Sequence, residues 1–176
     1  MKHLAVFAAF VALALSLPPV AQAQALPPAP TPNLPTNMYA FGLSYNNGAK
    51  PSIAGTASYS RLVSASLGTY AFTILDILPV SFSPSVVTTN LGVGVAQKVL
   101  TINGVNFFIP VSTGLTVTGP NTGWNWTGGG LADYNVKKAG VPTNWHIQPN
   151  VRFVRASVNN VAQYQLIFGG QLAWGQ

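Results

Sequence analysis

The sequence predicts an all-β protein in which about eight antiparallel strands follow one another up and down and close into a barrel. Apolar and polar residues alternate with period two from residue 37 to the end of the chain, which is the pattern of half-buried strands. Short turn sequences separate these segments, as in a meander. The polar face consists of Gly, Ala, Ser, Thr, Asn and Gln, a composition that suits an enclosed space. Because strand boundaries read from sequence shift by a few residues, ten strands are the alternative count.

The composition excludes several classes of protein. Charged residues make up 6% of the 176 residues, against about 25% in a typical soluble domain. Disordered chains are rich in charge and poor in aromatics, and this chain is neither. Its formal net charge is +6, but the basic residues are scattered, so we expect no nucleic-acid partner. The sequence contains no Cys, which excludes disulfides, thiolate metal sites and a Cys nucleophile.

Two segments precede the predicted barrel. A basic start, an apolar run from Leu4 to Leu17 and an A-x-A site at Ala21–Ala23 have the layout of a secretory signal peptide. The apolar run is short for a membrane anchor and ends at Pro18 and Pro19. The segment after the cleavage site is rich in Pro, a composition typical of an extended linker. The expected organisation is a signal peptide over residues 1–23, a linker over 24–36 and one barrel domain over 37–176.

The first four predicted strands are separated by turns rich in Asn, Gly and Pro. Strand one, NMYAFGLSYN, alternates apolar and small residues, and NNGAKP is the turn that follows. In SLGTYAFTIL the face with the aromatic residues is taken as the outer one. The next segment, DILPVSFSPS, contains Asp76 and two prolines and is expected to be a long loop. The predicted outer faces are Tyr39, Phe41, Leu43 and Tyr45; Ile53, Ala57 and Tyr59; Tyr70, Phe72 and Ile74; and Val87, Leu91, Val93 and Val95.

The last four predicted strands begin after INGV, where Asn103-Gly104 is a strong indication of a two-residue hairpin. GPNTG, KKAGVP and VNN are the following turns. The consecutive glycines in GWNWTGGG indicate a kink in the barrel wall rather than a phosphate loop, because no Lys-Ser/Thr pair or helix follows. The predicted outer faces are Phe107, Ile109, Val111, Leu115 and Val117; Trp124 and Trp126; Trp145, Ile147, Val151 and Phe153; and Tyr164, Leu166, Phe168, Leu172 and Trp174.

The apolar faces have no predicted partner sheet, which indicates that they contact lipid. A soluble β-sandwich also alternates apolar and polar residues, but it presents charged side chains to water. Tyr164 and Trp174 are ten residues apart, roughly 33 Å along a strand or roughly 25 Å of height at a tilt of about 40°. Lipid offers backbone groups no hydrogen bonds, so the sheet must close. The predicted membrane-interface aromatics are Tyr39, Tyr45, Tyr59, Tyr70, Trp124, Trp126, Trp145, Tyr164 and Trp174, and the predicted polar lumen residues are His146, Gln148, Arg152 and Gln165.

In these features the chain resembles the small bacterial outer-membrane β-barrels of the OmpA and OmpX transmembrane-domain type. The resemblance is architectural and covers the whole chain after the signal peptide. It implies a transmembrane barrel in the outer membrane, with outer-membrane lipid and the barrel assembly machinery as partners. Such proteins commonly end on an aromatic residue that this machinery reads, whereas here Gly175 and Gln176 follow Trp174.

The sequence contains no set of residues typical of catalysis. After the signal peptide the only His is His146, no G-x-S-x-G elbow is present, and the His-x-Ser pair of the lipid A deacylase barrels is absent because Gln148 stands in its place. Ligands for a metal site are too few, and we expect no cofactor. Arg152 is expected to pair with Asp133, and Asp76 to lie in a loop.

These observations predict a small non-enzymatic outer-membrane barrel with a structural or surface-display role in the cell envelope. A pore is less favoured, because side chains fill a barrel of eight strands. The alternatives are an outer-membrane barrel enzyme that modifies lipid and a secreted soluble β-sandwich or adhesin module.

Overall fold

The computed structural model describes residues 34–47, 51–79, 87–136 and 144–176. The predicted signal peptide lies outside these residues, as do most of the predicted linker and the basic residues Lys50, Lys137 and Lys138. Within the described ranges, no helix has the length and apolar character needed to cross a membrane.

The described residues form a closed barrel of eight antiparallel strands. Each strand pairs with its neighbours in sequence, and the first also pairs with the last, with Met38 opposite Gly175. The up-and-down barrel and the count of eight strands are therefore confirmed, and the β-sandwich alternative is wrong. The strands are β1 (Asn37–Asn46), β2 (Ser52–Ser64), β3 (Thr69–Pro79), β4 (Val87–Ile102), β5 (Val105–Thr118), β6 (Asn121–Asn135), β7 (Trp145–Val158) and β8 (Val161–Gly175).

The strands are staggered around the barrel. A row of cross-strand pairs starts at Trp174 on β8, passes once through each of the strands β1 to β7 and returns to β8 at Tyr164. The stagger around the barrel is therefore 174 − 164 = 10 residues. Ten residues span roughly 33 Å along a strand, and eight strand spacings span roughly 38 Å around the barrel. The ratio corresponds to a tilt of about 40°, within the usual range for eight-stranded barrels.

Tight turns connect strands at both ends of the barrel. Asn103 and Gly104 join β4 to β5 with φ values of 50° and 80°, as expected for the two-residue hairpin that Asn-Gly predicts. Asn159 and Asn160 join β7 to β8 with φ values of 50° and 62°. Asn tolerates this left-handed region better than most residues. We call the end where β1 begins and β8 finishes the terminal end, and the other the opposite end.

The two faces of β3 are reversed relative to the sequence prediction. Tyr70 is 2% exposed and lines the interior with Phe72 and Ile74, so its prediction as a membrane-interface aromatic is wrong. Asp76 belongs to β3 rather than to a loop and is 3% exposed. Alternation misleads here because β3 is apolar on both faces, with Ile77 exposed on the outside. The inward position of Asp76 instead decides which face of β3 lines the interior.

Inward-facing glycines allow close contact between strands. A Cβ at Gly114 would lie 1.8 Å from the backbone oxygen of Leu91, and one at Gly129 would lie 2.1 Å from that of Val151. Since no side chain fits at such distances, these positions require Gly. Gly129 belongs to the glycine run in which a kink was predicted, and β6 continues through that run without interruption.

Candidate functional site

The outer surface of the barrel is apolar along most of the length of the strands. Phe41 and Leu43 on β1 are 67% and 68% exposed. Soluble monomers rarely expose continuous apolar patches larger than a few hundred Å², whereas this surface surrounds the barrel. Arg61 and Arg155 are exposed as well, near the ends of β2 and β7. The exposed apolar residues include Ile53, Ile77, Leu91, Val93, Val95, Ile109, Val111, Leu115, Val117, Ile147, Val151, Phe153, Leu166, Phe168 and Leu172.

A group of aromatic side chains lies on the outer surface near the terminal end. Tyr39 stacks on Trp174 with 6.2 Å between ring centroids, and it lies 5.1 Å from the ring of Tyr59. The Tyr59 hydroxyl donates to Asn37 Oδ1 at 2.9 Å. Trp145 is the cross-strand neighbour of Trp174. These contacts order four rings at one height, which is typical of an interfacial aromatic girdle.

A second group of aromatic side chains lies on the outer surface near the opposite end. Trp124 and Trp126 are 69% and 48% exposed on β6, Tyr164 is 56% exposed on β8, and Tyr45 is 48% exposed on β1. The guanidinium of Arg155 lies 5.8 Å from the centroid of the Tyr164 ring, within cation–π range. Two aromatic groups therefore border the apolar surface, and together they contain eight of the nine aromatics predicted for the interface.

An ion pair crosses the interior between opposite walls of the barrel. Arg152 lies on β7 and Asp76 on β3, four strands apart in either direction around the closed sheet. Arg152 Nη1 donates to Asp76 Oδ2 at 2.8 Å, and Nη2 donates to Oδ1 at 2.9 Å. Both residues are buried. This two-point pairing is the strong form of an arginine–carboxylate contact, and the predicted pairing of Arg152 with Asp133 is wrong.

Neighbouring polar groups complete the surroundings of this ion pair. Thr56 Oγ1 donates to Asp76 Oδ1 at 2.7 Å and accepts from Arg152 Nη2 at 3.3 Å. Arg152 Nε donates to Asn150 Oδ1 at 3.3 Å, and the Ser44 hydroxyl lies 3.2 Å from that of Thr56. A buried ion pair is tolerated only where its remaining donors and acceptors are satisfied. Here strands β1, β2, β3 and β7 all supply partners.

A second charged cluster lies inside the barrel near the terminal end. His146 Nδ1 lies 3.0 and 3.1 Å from the two carboxylate oxygens of Asp133, and since a carboxylate only accepts, Nδ1 is the donor. Gln148 Nε2 also donates to Asp133 Oδ1, at 2.9 Å. All three residues are buried. Both acids of the chain are thus paired inside the barrel, one across it and one between the adjacent strands β6 and β7.

No family model matches the chain, and no curated protein matches it. Two solved structures share its architecture. Neisserial surface protein A aligns with a TM-score of 0.63 at 10% identity, over 80% of this chain and 96% of that one. Ail, the attachment invasion locus protein of Yersinia pestis, aligns with a TM-score of 0.53 at 8% identity, over 80% of this chain and 100% of that one.

The chain has the fold of the small outer-membrane β-barrels. This confirms the architectural resemblance that the sequence indicated. At such low identities the likeness concerns the fold alone, so the roles of individual residues in this barrel have to be argued from its own side chains.

All four predicted lumen residues point into the barrel. His146, Gln148 and Arg152 are buried within the two charged clusters. Gln165 is half-buried, and its Oε1 is enclosed without a hydrogen-bond partner in the described structure. Apolar and polar residues separate cleanly between the two faces of β7 and β8.

Sequence reasoning missed a second group of interior polar residues, which lies on β4, β5 and β6. Thr116 Oγ1 donates to Asn90 Oδ1 at 2.7 Å, and Asn125 Nδ2 donates to Thr116 Oγ1 at 3.0 Å. The alternation predicts that these side chains point inward, but it does not predict which of them contact one another. The role of Asp76 was missed because β3 is apolar on both faces, so alternation did not show that Asp76 and Leu78 point inward, where they are 3% and 2% exposed.

The residues immediately before β1 contact the terminal end of the barrel. The Tyr70 hydroxyl donates to the backbone oxygen of Pro35 at 2.8 Å. The backbone NH of Leu62 donates to the backbone oxygen of Thr36, also at 2.8 Å. The Tyr70 ring meets Phe108 edge-on with 5.7 Å between centroids. The last residues of the predicted linker are therefore attached to the barrel domain.

The described residues offer little basis for catalysis or metal binding. Among them, no three His, Cys, Asp or Glu side chains lie together as metal ligands would. The hydrogen-bonding neighbours of His146 in the described structure are Asp133 and Asn135, and no hydroxyl group is among them. Within the described ranges, this His–Asp contact holds the His146 ring against the carboxylate of Asp133.

Proposed function

We propose that this chain is an integral protein of the bacterial outer membrane with a structural, non-enzymatic role in the cell envelope. The observation that carries the proposal is the apolar outer surface bordered by two groups of aromatics. From Tyr164 to Trp174 the strand rises roughly 25 Å at a tilt of about 40°, the height of the apolar band of outer-membrane barrels. An exposed surface of this kind is stable in lipid and would aggregate in water.

A structural role rather than transport is supported by the filled interior. The side chains of Arg152 and Asp76 meet across the lumen, and Tyr70, Leu78 and Ile167 are almost fully buried inside. Side chains of an eight-stranded barrel suffice to fill it. A continuous water channel would have to pass both charged clusters.

A structural role rather than surface display is supported by the connections between strands. Several are tight turns, and long loops of the kind that carry binding functions have little room in this chain. The segments between strands are 47–51, 65–68, 80–86, 103–104, 119–120, 136–144 and 159–160.

The proposed partners are outer-membrane lipid and the barrel assembly machinery. The chain end that this machinery would meet is paired with β1, because Asn37 and Gln176 exchange two backbone hydrogen bonds of 3.0 and 2.8 Å. The terminal residues Gly175 and Gln176 therefore extend the closing strand pair beyond Trp174. We propose that the aromatic-bearing strand β8 is what the machinery reads.

The proposal is tested by membrane fractionation and gel migration. We expect that the protein expressed with its own N-terminal segment is released from membranes by detergent and not by alkaline carbonate, and that boiling shifts its migration on a gel. Vesicles that contain brominated lipid should quench tryptophan fluorescence, because Trp126, Trp145 and Trp174 lie on the outer surface. Extraction without detergent, together with migration that boiling leaves unchanged, would exclude a membrane barrel.

A further inference from the structure

The barrel interior contains a cavity of about 70 Å³ between the two charged clusters. One wall is apolar and is formed by residues of β3 to β6, among them Phe72, Ile74, Ala96 and Leu131. Phe72, Ile74 and Leu131 remain half-buried although they point into the barrel, because this space lies next to them. Apolar side chains that border a void lose dispersion contacts that a fitting molecule would restore.

A few polar side chains interrupt this mostly apolar lining. They include Gln171 on β8, Ser112 on β5 and Thr127 on β6, whose exposed fractions are 5%, 5% and 8%. None of these three side chains has a hydrogen-bond partner among the described residues. Buried polar groups normally have partners, and an amide such as that of Gln171 offers both donors and an acceptor. Unpaired polar groups within a mostly apolar lining indicate a site for a molecule with both characters.

We propose that this cavity binds a small uncharged molecule with an apolar body the size of a single ring and one hydroxyl group. The ring would contact Phe72, Ile74 and Leu131, and the hydroxyl would bond to the Gln171 amide. Ligand sites are typically apolar with a few placed polar groups. The site is too small for a lipid acyl chain, which distinguishes this ligand from the lipid that surrounds the barrel.

A charged ligand is disfavoured by the pairing of the charges around the cavity. Arg152 lines it but is bound to Asp76, and Asp133 is bound to His146. These charges are already paired, and a charged ligand would lose its hydration on entering the cavity. Water alone is a poor occupant, because an ordered water needs two to four polar partners and most of the lining is apolar.

Binding is tested with 4-fluorophenol and the refolded full-length barrel in detergent micelles, followed by fluorine NMR. We expect a saturable change in the fluorine signal beyond that of protein-free micelles. Ala96→Leu extends a side chain into the cavity and should lower the affinity at least about tenfold, because the apolar site is filled. Val95→Leu is the matched control, since it adds apolar volume one residue away on the outer surface and should leave the affinity unchanged.

The polar half of the proposal is tested with Gln171→Leu. The loss of one hydrogen bond should weaken 4-fluorophenol binding about tenfold, while fluorobenzene, which lacks the hydroxyl, should bind no more weakly than before. If the gel migration of Ala96→Leu does not shift on boiling, that variant has not folded. Ile74→Phe, which fills the same cavity from β3, is then used in its place.

Two results would overturn the proposal. If wild-type barrel, Ala96→Leu and protein-free micelles give the same fluorine response, the phenol only partitions into detergent. If Gln171→Leu weakens both probes equally, the amide does not read the hydroxyl. Neither result bears on the membrane location, because the cavity is formed by inner faces alone, and the shift on boiling tests that location separately.

Discussion

The two charged clusters inside the barrel differ in the way that the fold brings their members together. Asp133 and His146 are 13 residues apart and lie on the adjacent strands β6 and β7, so one hairpin is sufficient to place them. Asp76 and Arg152 are 76 residues apart and lie on opposite walls, so they meet only when the sheet has closed. The first pair stabilises a local unit, whereas the second connects two halves of the barrel.

The difference predicts that the cross-lumen pair is more sensitive to the loss of its carboxylate. Asp76→Asn leaves the guanidinium of Arg152 buried without a counter-charge, and we expect a loss of about 3 kcal/mol in the free energy of unfolding. Urea unfolding of the refolded barrel measures it. The double variant Asp76→Leu with Arg152→Met is the control and should recover much of the loss, because an apolar pair leaves no buried charge.

The same substitution in the local pair should have a smaller effect. With Asp133→Asn, His146 still has an amide oxygen to donate to. We expect a loss of about 1 to 2 kcal/mol in the free energy of unfolding. If urea unfolding gave equal losses for Asp133→Asn and Asp76→Asn, the distinction between a local contact and one that forms on closure would be wrong.

The smallest expected effect concerns the hydroxyl beside the cross-lumen pair. Thr56→Val keeps the shape of the side chain but removes the bond to Asp76 and the acceptor for Arg152. We expect a loss of about 1 kcal/mol in the free energy of unfolding, the typical net contribution of a hydrogen bond. The control is Ser58→Ala, an inner-face hydroxyl of the same strand that borders the cavity. A loss from Ser58→Ala as large as that from Thr56→Val would show that the ion pair does not depend on Thr56.

Strand β3 shows the limit of reading faces from alternation. On β8, Leu166 and Phe168 alternate with Gln165 and an exposed face is obvious, whereas β3 carries Phe72 and Ile74 on one face and Leu75 and Ile77 on the other. Hydrophobicity alone gives no parity for such a strand. The informative residue was Asp76, whose charge is acceptable in this barrel only where a partner meets it.

The sequence by itself predicted an antiparallel barrel of about eight strands with an apolar outside, because period-two alternation and turn chemistry are local properties that each segment carries alone. It also placed His146, Gln148 and Arg152 inside. Only the tertiary structure decided which acid meets Arg152, which way β3 faces and where a cavity remains. These depend on contacts across the lumen, and such contacts exist only after closure and stagger have fixed the height of every strand.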